Sequence, residues 1–86
     1  MFEVWDVTAS RALASKATFE DAQDELDRAC RQRYLQTVAD GTSPAQRYDF
    51  EIRQEGQPVA WLTYTPDVGR PYESVTAAGL GTGGPQ

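Results

Sequence analysis

The chain has 86 residues, with thirteen acids, eight bases and no histidine, so it carries a net charge of −5 and is long enough for one domain with one core. Like charge repels phosphate backbones and anionic lipid, which sets direct nucleic-acid and membrane partners aside, and no apolar run reaches membrane-spanning length. Without histidine the commonest general base and metal ligand are missing, and the single cysteine, Cys30, closes no internal disulfide.

The N-terminus lacks a basic region followed by an apolar one, so residence in a reducing cytoplasm is the default expectation. Seven arginines stand against one lysine, with one isoleucine and no asparagine. That is the codon bias of a GC-rich genome, as in an actinobacterium-like host or one of its phages.

Taken in chain order, Phe2 to Val7 alternates as a strand does. Thr8 to Arg11 is polar and connects it to Ala12 to Ala17, which returns antiparallel even though alanine and lysine are poor strand formers. A long helix then spans Thr18 to Ala39. Thr18 and Asp21 have capping-box spacing, and Phe19, Ala22, Leu26, Ala29, Cys30 and Tyr34 form one apolar stripe. Acids (Glu20, Asp21, Asp24, Glu25, Asp27) precede bases (Arg28, Arg31, Arg33), the order the helix dipole favours. Asp24 with Arg28 and Asp27 with Arg31 are four residues apart and are expected to pair on the solvated face. Asp40-Gly41 supplies the stop.

The clearest strand follows, with Tyr48, Phe50 and Ile52 on one face and Asp49, Glu51 and Arg53 on the other. Glu55-Gly56-Gln57 reads as a turn, and Val59 to Thr65 completes a second hairpin before Pro66. The predicted fold is therefore α+β: a two-layer ββαββ domain over residues 1–66, with one long helix on a four-stranded antiparallel sheet. Residues 67–86 read as a Pro/Gly-rich, flexible C-terminal tail, with a short helix possible in principle near 72–78, between Pro71 and Gly79.

A strand–strand–helix–strand–strand order ending in Gly83-Gly84 resembles the ubiquitin-like β-grasp proteins. That resemblance implies a C-terminal glycine pair used for activation or conjugation, reached here only after Pro85-Gln86 is removed. The helix is longer than that family's, and the second strand lacks its branched apolar residues.

Few residues offer chemistry. Cys30 lies on the apolar stripe, so a core role is expected rather than a nucleophilic one. Asp21, Asp24 and Glu25 are oxygen ligands at helical spacing, but an ion-paired helix face accounts for them and no calcium-loop pattern is present. The glycines from Gly79 to Gly84 follow no strand and precede no helix, so they do not form a phosphate loop. No catalytic residue, metal or cofactor is expected.

A sheet covered by a helix on one side leaves the other side to do something. With Phe2, Val4, Phe50, Ile52, Ala60, Leu62 and Tyr64 inward, alternation turns Trp5, Val7, Val59 and Trp61 outward, among Glu3, Asp49, Glu51 and Arg53. Partner-binding residues are thus expected at Trp5, Val7, Val59, Trp61, Glu51 and Arg53. Competing outcomes are a reversed last strand, or coverage by Val68 to Leu80 with Tyr72 and Val75 on the tryptophans. The function expected is a small acidic non-enzymatic interaction protein, such as a phage-encoded modulator of a host protein or a bacterial adaptor, binding another protein or itself as a homodimer. The alternative from a different class is an acidic nucleic-acid mimic that occupies a DNA- or RNA-binding protein.

Overall fold

The computed structural model describes residues 1–41, 46–74 and 81–82, the last two by backbone alone. Strands β1 (Phe2–Asp6) and β2 (Arg11–Lys16) precede helix α1 (Phe19–Asp40), and β3 (Tyr48–Gln54), β4 (Gln57–Tyr64) and the two-residue β5 (Gly81–Thr82) follow it. The sheet order is β2-β1-β3-β4-β5, and every pairing is antiparallel. The chain leaves the β2 edge, crosses the sheet as α1, and re-enters beside β1 as β3. This is the two-layer ββαββ arrangement expected from the sequence, extended at one edge by β5.

Local chemistry explains the element ends. The Asp21 amide donates to the Thr18 hydroxyl at 3.1 Å, so one otherwise unpaired donor of the first helical turn is satisfied. Gly41 closes the helix in the left-handed conformation (φ 62°), its N–H donating to the Thr37 carbonyl at 3.0 Å. Between β3 and β4 the turn residues Glu55 and Gly56 both have positive φ, 52° and 79°. With Gln54 opposite Gln57 this is the two-residue mirror-image turn whose twist suits a hairpin.

Two irregularities interrupt the ladders. Val4 pairs with Ala14 but Trp5 with Ala12, leaving Leu13 as an extra residue in β2. Likewise Ile52 pairs with Ala60 but Arg53 with Pro58, leaving Val59 unpaired. Both extra residues are half-buried and pack against the core. Val59 is therefore not simply an outward side chain, as plain alternation predicted. The bulge takes it out of the two-residue rhythm and gives it core contacts.

The core forms where the helix stripe meets the inner sheet face. Val4, Phe50, Ile52 and Ala60 from the sheet and Ala22, Leu26 and Cys30 from α1 are buried. Phe2 and Phe19 meet edge to face at 5.7 Å between ring centres, and Leu62 and Tyr64 pack at the flank. Alternation also carries Asp6 inward. Its side chain is 1% exposed, and its Oδ2 receives Arg33 Nη2 of α1 at 2.7 Å. Its Oδ1 accepts the Ala9 amide at 3.0 Å, so the same carboxylate shapes the β1–β2 turn. Arg33 also lies over the Tyr48 ring, 4.6 Å from its centre.

Helix-surface pairing differs from the expected i,i+4 pattern. Arg28 reaches Glu25 at 3.0 Å rather than Asp24, and Lys16 of β2 approaches the same carboxylate at 3.7 Å. Residues three apart on a helix are neighbours, so Glu25 is within reach of Arg28 while also facing Lys16 of the sheet. Asp27 accepts the Tyr72 hydroxyl at 2.6 Å.

The segment after Pro66 lies on the helix side of the molecule. Tyr72 stacks edge to face with Tyr34 and Tyr64, at 5.8 and 6.1 Å, and so fills the gap between α1 and β4 instead of meeting the tryptophans. Tyr72, Glu73 and Ser74 form no helix, and the rest of the helix considered near 72–78 lies outside the described residues, as do Val75 and the Gly83-Gly84 pair.

Asp6→Ala should destabilise the fold by roughly 2–3 kcal/mol, below the range for a fully buried pair because Arg33 keeps part of its surface in water. Urea unfolding followed by circular dichroism measures this, and an unchanged midpoint would show that the ion pair does not hold the layers together.

Candidate functional site

On the face opposite the helix, register fixes which side chains stand together. Trp5 pairs with Ala12 and Glu51, and Glu51 in turn pairs with Trp61. Trp61 faces Gly81 of β5, which contributes no side chain. A single row therefore runs Ala12, Trp5, Glu51, Trp61, Gly81 across the sheet, with small residues outside the indoles and a carboxylate between them. The two tryptophans are two strand spacings apart, roughly 10 Å.

The two halves of this row differ. On the Trp5 side, Arg53 lays its guanidinium 4.3 Å from the centre of the indole. Its Nε donates to Glu51 Oε1 at 2.8 Å, and its Nη2 lies 2.8 Å from the same oxygen as an ion-pair contact. Trp5 is half-buried, and its Nε1 is shielded from solvent with no acceptor among the described residues. On the other side Trp61 is 37% exposed, with no ring or cation partner among the described residues. Glu51 Oε2 accepts no hydrogen bond among the described residues.

Around the row, Asp49 accepts the Thr63 hydroxyl at 2.8 Å and is approached by Arg47 at 3.6 Å. Val7 lies just beyond β1, is 37% exposed, and is tied to β3 by its amide donating to the Asp49 carbonyl at 2.9 Å. Of the six residues predicted to bind a partner, Trp5, Glu51, Arg53 and Trp61 thus share one face and Val7 borders it. Val59 is withdrawn from it by its bulge.

A concavity lies elsewhere. A cleft of about 530 Å³ lies between α1 and the β1–β2 hairpin, lined among others by Asp6, Arg11, Leu13, Arg28, Arg33 and Phe50. Two of its arginines are committed to carboxylates, Arg33 to Asp6 and Arg28 to Glu25. Its charged groups mainly neutralise one another, which is a structural arrangement. Periodicity had a signal for these residues: Leu26, Cys30, Arg33 and Thr37 continue the helix stripe at spacings of four, three and four.

Burial pushes the Cys30 thiol up to about 12, with the Asp27 and Asp6 carboxylates adding to the effect. It is therefore a protonated core side chain at neutral pH. Burial also pushes the Tyr64 phenol up to about 12, and Tyr72 rises further because it is both buried and hydrogen-bonded to Asp27.

Comparison with family models, curated proteins and solved structures found no match. No described helix is long and apolar enough to cross a membrane.

The three raised values carry a pH dependence. The unfolded chain releases these protons near pH 9–10 whereas the folded chain keeps them. Their contribution is complete below that point and is lost as pH rises toward 12. The urea midpoint should fall between pH 9 and 12, and Tyr72→Phe should show a shallower fall above pH 10. A midpoint flat to pH 12 would contradict the assignment.

Proposed function

We propose that the protein is a small acidic, non-enzymatic interaction module that binds another protein through the sheet face opposite its helix. The observation that carries this reading is the Trp5–Glu51–Trp61 row, with one indole engaged by Arg53 and the other open. Indoles supply large contact area at low entropic cost, and they concentrate binding energy where the surrounding contacts exclude water. Cytoplasmic residence and a role as a phage-encoded modulator or bacterial adaptor belong to the same proposal and rest on composition.

Charge favours a different protein over a second copy. Each chain carries −5, so face-to-face association of two copies brings like charge together. An acidic nucleic-acid mimic is the less supported reading. Such a mimic needs a continuous stripe of unpaired acids, whereas Arg28, Arg33, Arg47, Arg53 and Arg70 each close on a carboxylate.

The test is affinity capture from the cells that make the protein, using wild type, Trp61→Gln and a helix-side control, Arg28→Gln. The partner should be retained by wild type and control and weakened roughly tenfold or more by Trp61→Gln, with modest salt dependence. Undiminished capture by Trp61→Gln would overturn the proposal, and a steep loss with rising salt would favour the mimic.

A further inference from the structure

We infer that the Trp61 side of Glu51 receives an arginine side chain from a basic segment of the partner; this deepens the interaction reading above and rests on it. The chain already displays the arrangement once. Arg53 stacks on Trp5 at 4.3 Å, donates to Glu51 Oε1 through Nε and holds Nη2 2.8 Å from that oxygen, so the sheet face holds one guanidinium between an indole and a carboxylate. Trp61 stands on the other side of the same carboxylate, in the same cross-strand row. It has the same two components, an indole face and a carboxylate oxygen, Oε2, but no cation over the ring among the described residues.

Several observations favour an arginine as the occupant. The Arg53 hydrogen bond goes to Oε1, which leaves Oε2 with hydrogen-bonding capacity for a second donor. Glu3, on the same face, has no basic partner among the described residues, and the chain as a whole is acidic, so an incoming cation is attracted over a distance. Gly81, the ladder partner of Trp61, places no side chain of its own beside the indole. A planar guanidinium can stack on the indole and present two donors to one carboxylate, as Arg53 does, whereas an ammonium is a compact point charge that does not stack.

A doubly capped pentapeptide, Gly-Val-Arg-Val-Gly, tests the inference by nuclear magnetic resonance on the full chain at constant salt. Its counterparts carry citrulline or lysine at the centre. Trp5→Phe and Trp61→Phe assign the two indole N–H signals. The arginine peptide should shift the Trp61 signal saturably and leave Trp5 nearly still. Citrulline, which keeps the shape and removes the charge, should bind at least about threefold more weakly, as should the arginine peptide to Glu51→Gln. An unmoved Trp61 signal, equal binding by the citrulline or lysine peptide, or undiminished binding to Glu51→Gln would each overturn it. So would a shift centred on Trp5, because the peptide would then be displacing Arg53. If none of the peptides binds yet partner capture still depends on Trp61, the arginine assignment fails alone. Capture indifferent to Trp61 removes the wider reading as well.

Discussion

The carboxylate of Asp6 ties β1 both to its own following turn and to a helix residue 27 positions away. One oxygen takes the Ala9 amide and shapes the β1–β2 turn, while the other takes Arg33 from the third quarter of the helix. A buried carboxylate without such partners is costly enough to turn a strand over. Residues Phe2, Val4 and Asp6 offer two apolar side chains and an acid, and so do Glu3, Trp5 and Val7. Hydrophobicity alone scarcely separates the two faces of β1. With Arg33 waiting on the helix, the first set turns inward, and Trp5 is obliged to face away from the core.

The orientation of Trp5 then propagates through the ladder. Because β1 is an interior strand, between β2 and β3, its phase is matched to the side chains of β3 that stand beside it, and that of β3 to β4. Glu51 and Trp61 stand on the outer face in step with these pairings and with the burial of their neighbours Phe50, Ile52 and Ala60. The composition of the outer face thus follows from how the core is closed. Tyr72 completes the separation of roles by sealing the gap between α1 and β4, which leaves the outer row uncovered by the described part of that segment.

Much of this architecture is readable in the chain because several local signals agree. Thr18, the stripe from Phe19 to Tyr34 and the Asp40-Gly41 stop all specify one helix, and Tyr48 to Arg53 alternates cleanly. What escapes is whatever depends on a distant partner or on an extra residue. The burial of Asp6 makes sense only with Arg33, 27 positions away. Arg28 pairs with Glu25 rather than with the expected Asp24, at a carboxylate that Lys16 of another element also approaches. Tyr72 goes to the helix side because its hydroxyl finds Asp27 there. The pairing of Gly81–Thr82 is made by backbone alone, so no side-chain pattern announces it. Val59 is missed because alternation assumes one residue per step, and a bulge breaks that assumption.

That bulge has an implication for how the sequence can change in length. A residue added to or lost from a regular strand exchanges its two faces from that point onward. At Val59 the count is already one higher than the ladder needs, so Pro58 stands opposite Arg53 and Ala60 opposite Ile52 regardless. Removing this residue would forfeit its own core contacts but leave Trp61 in its row. The second hairpin therefore contains one position at which a deletion is decoupled from the identity of the surface the strand displays.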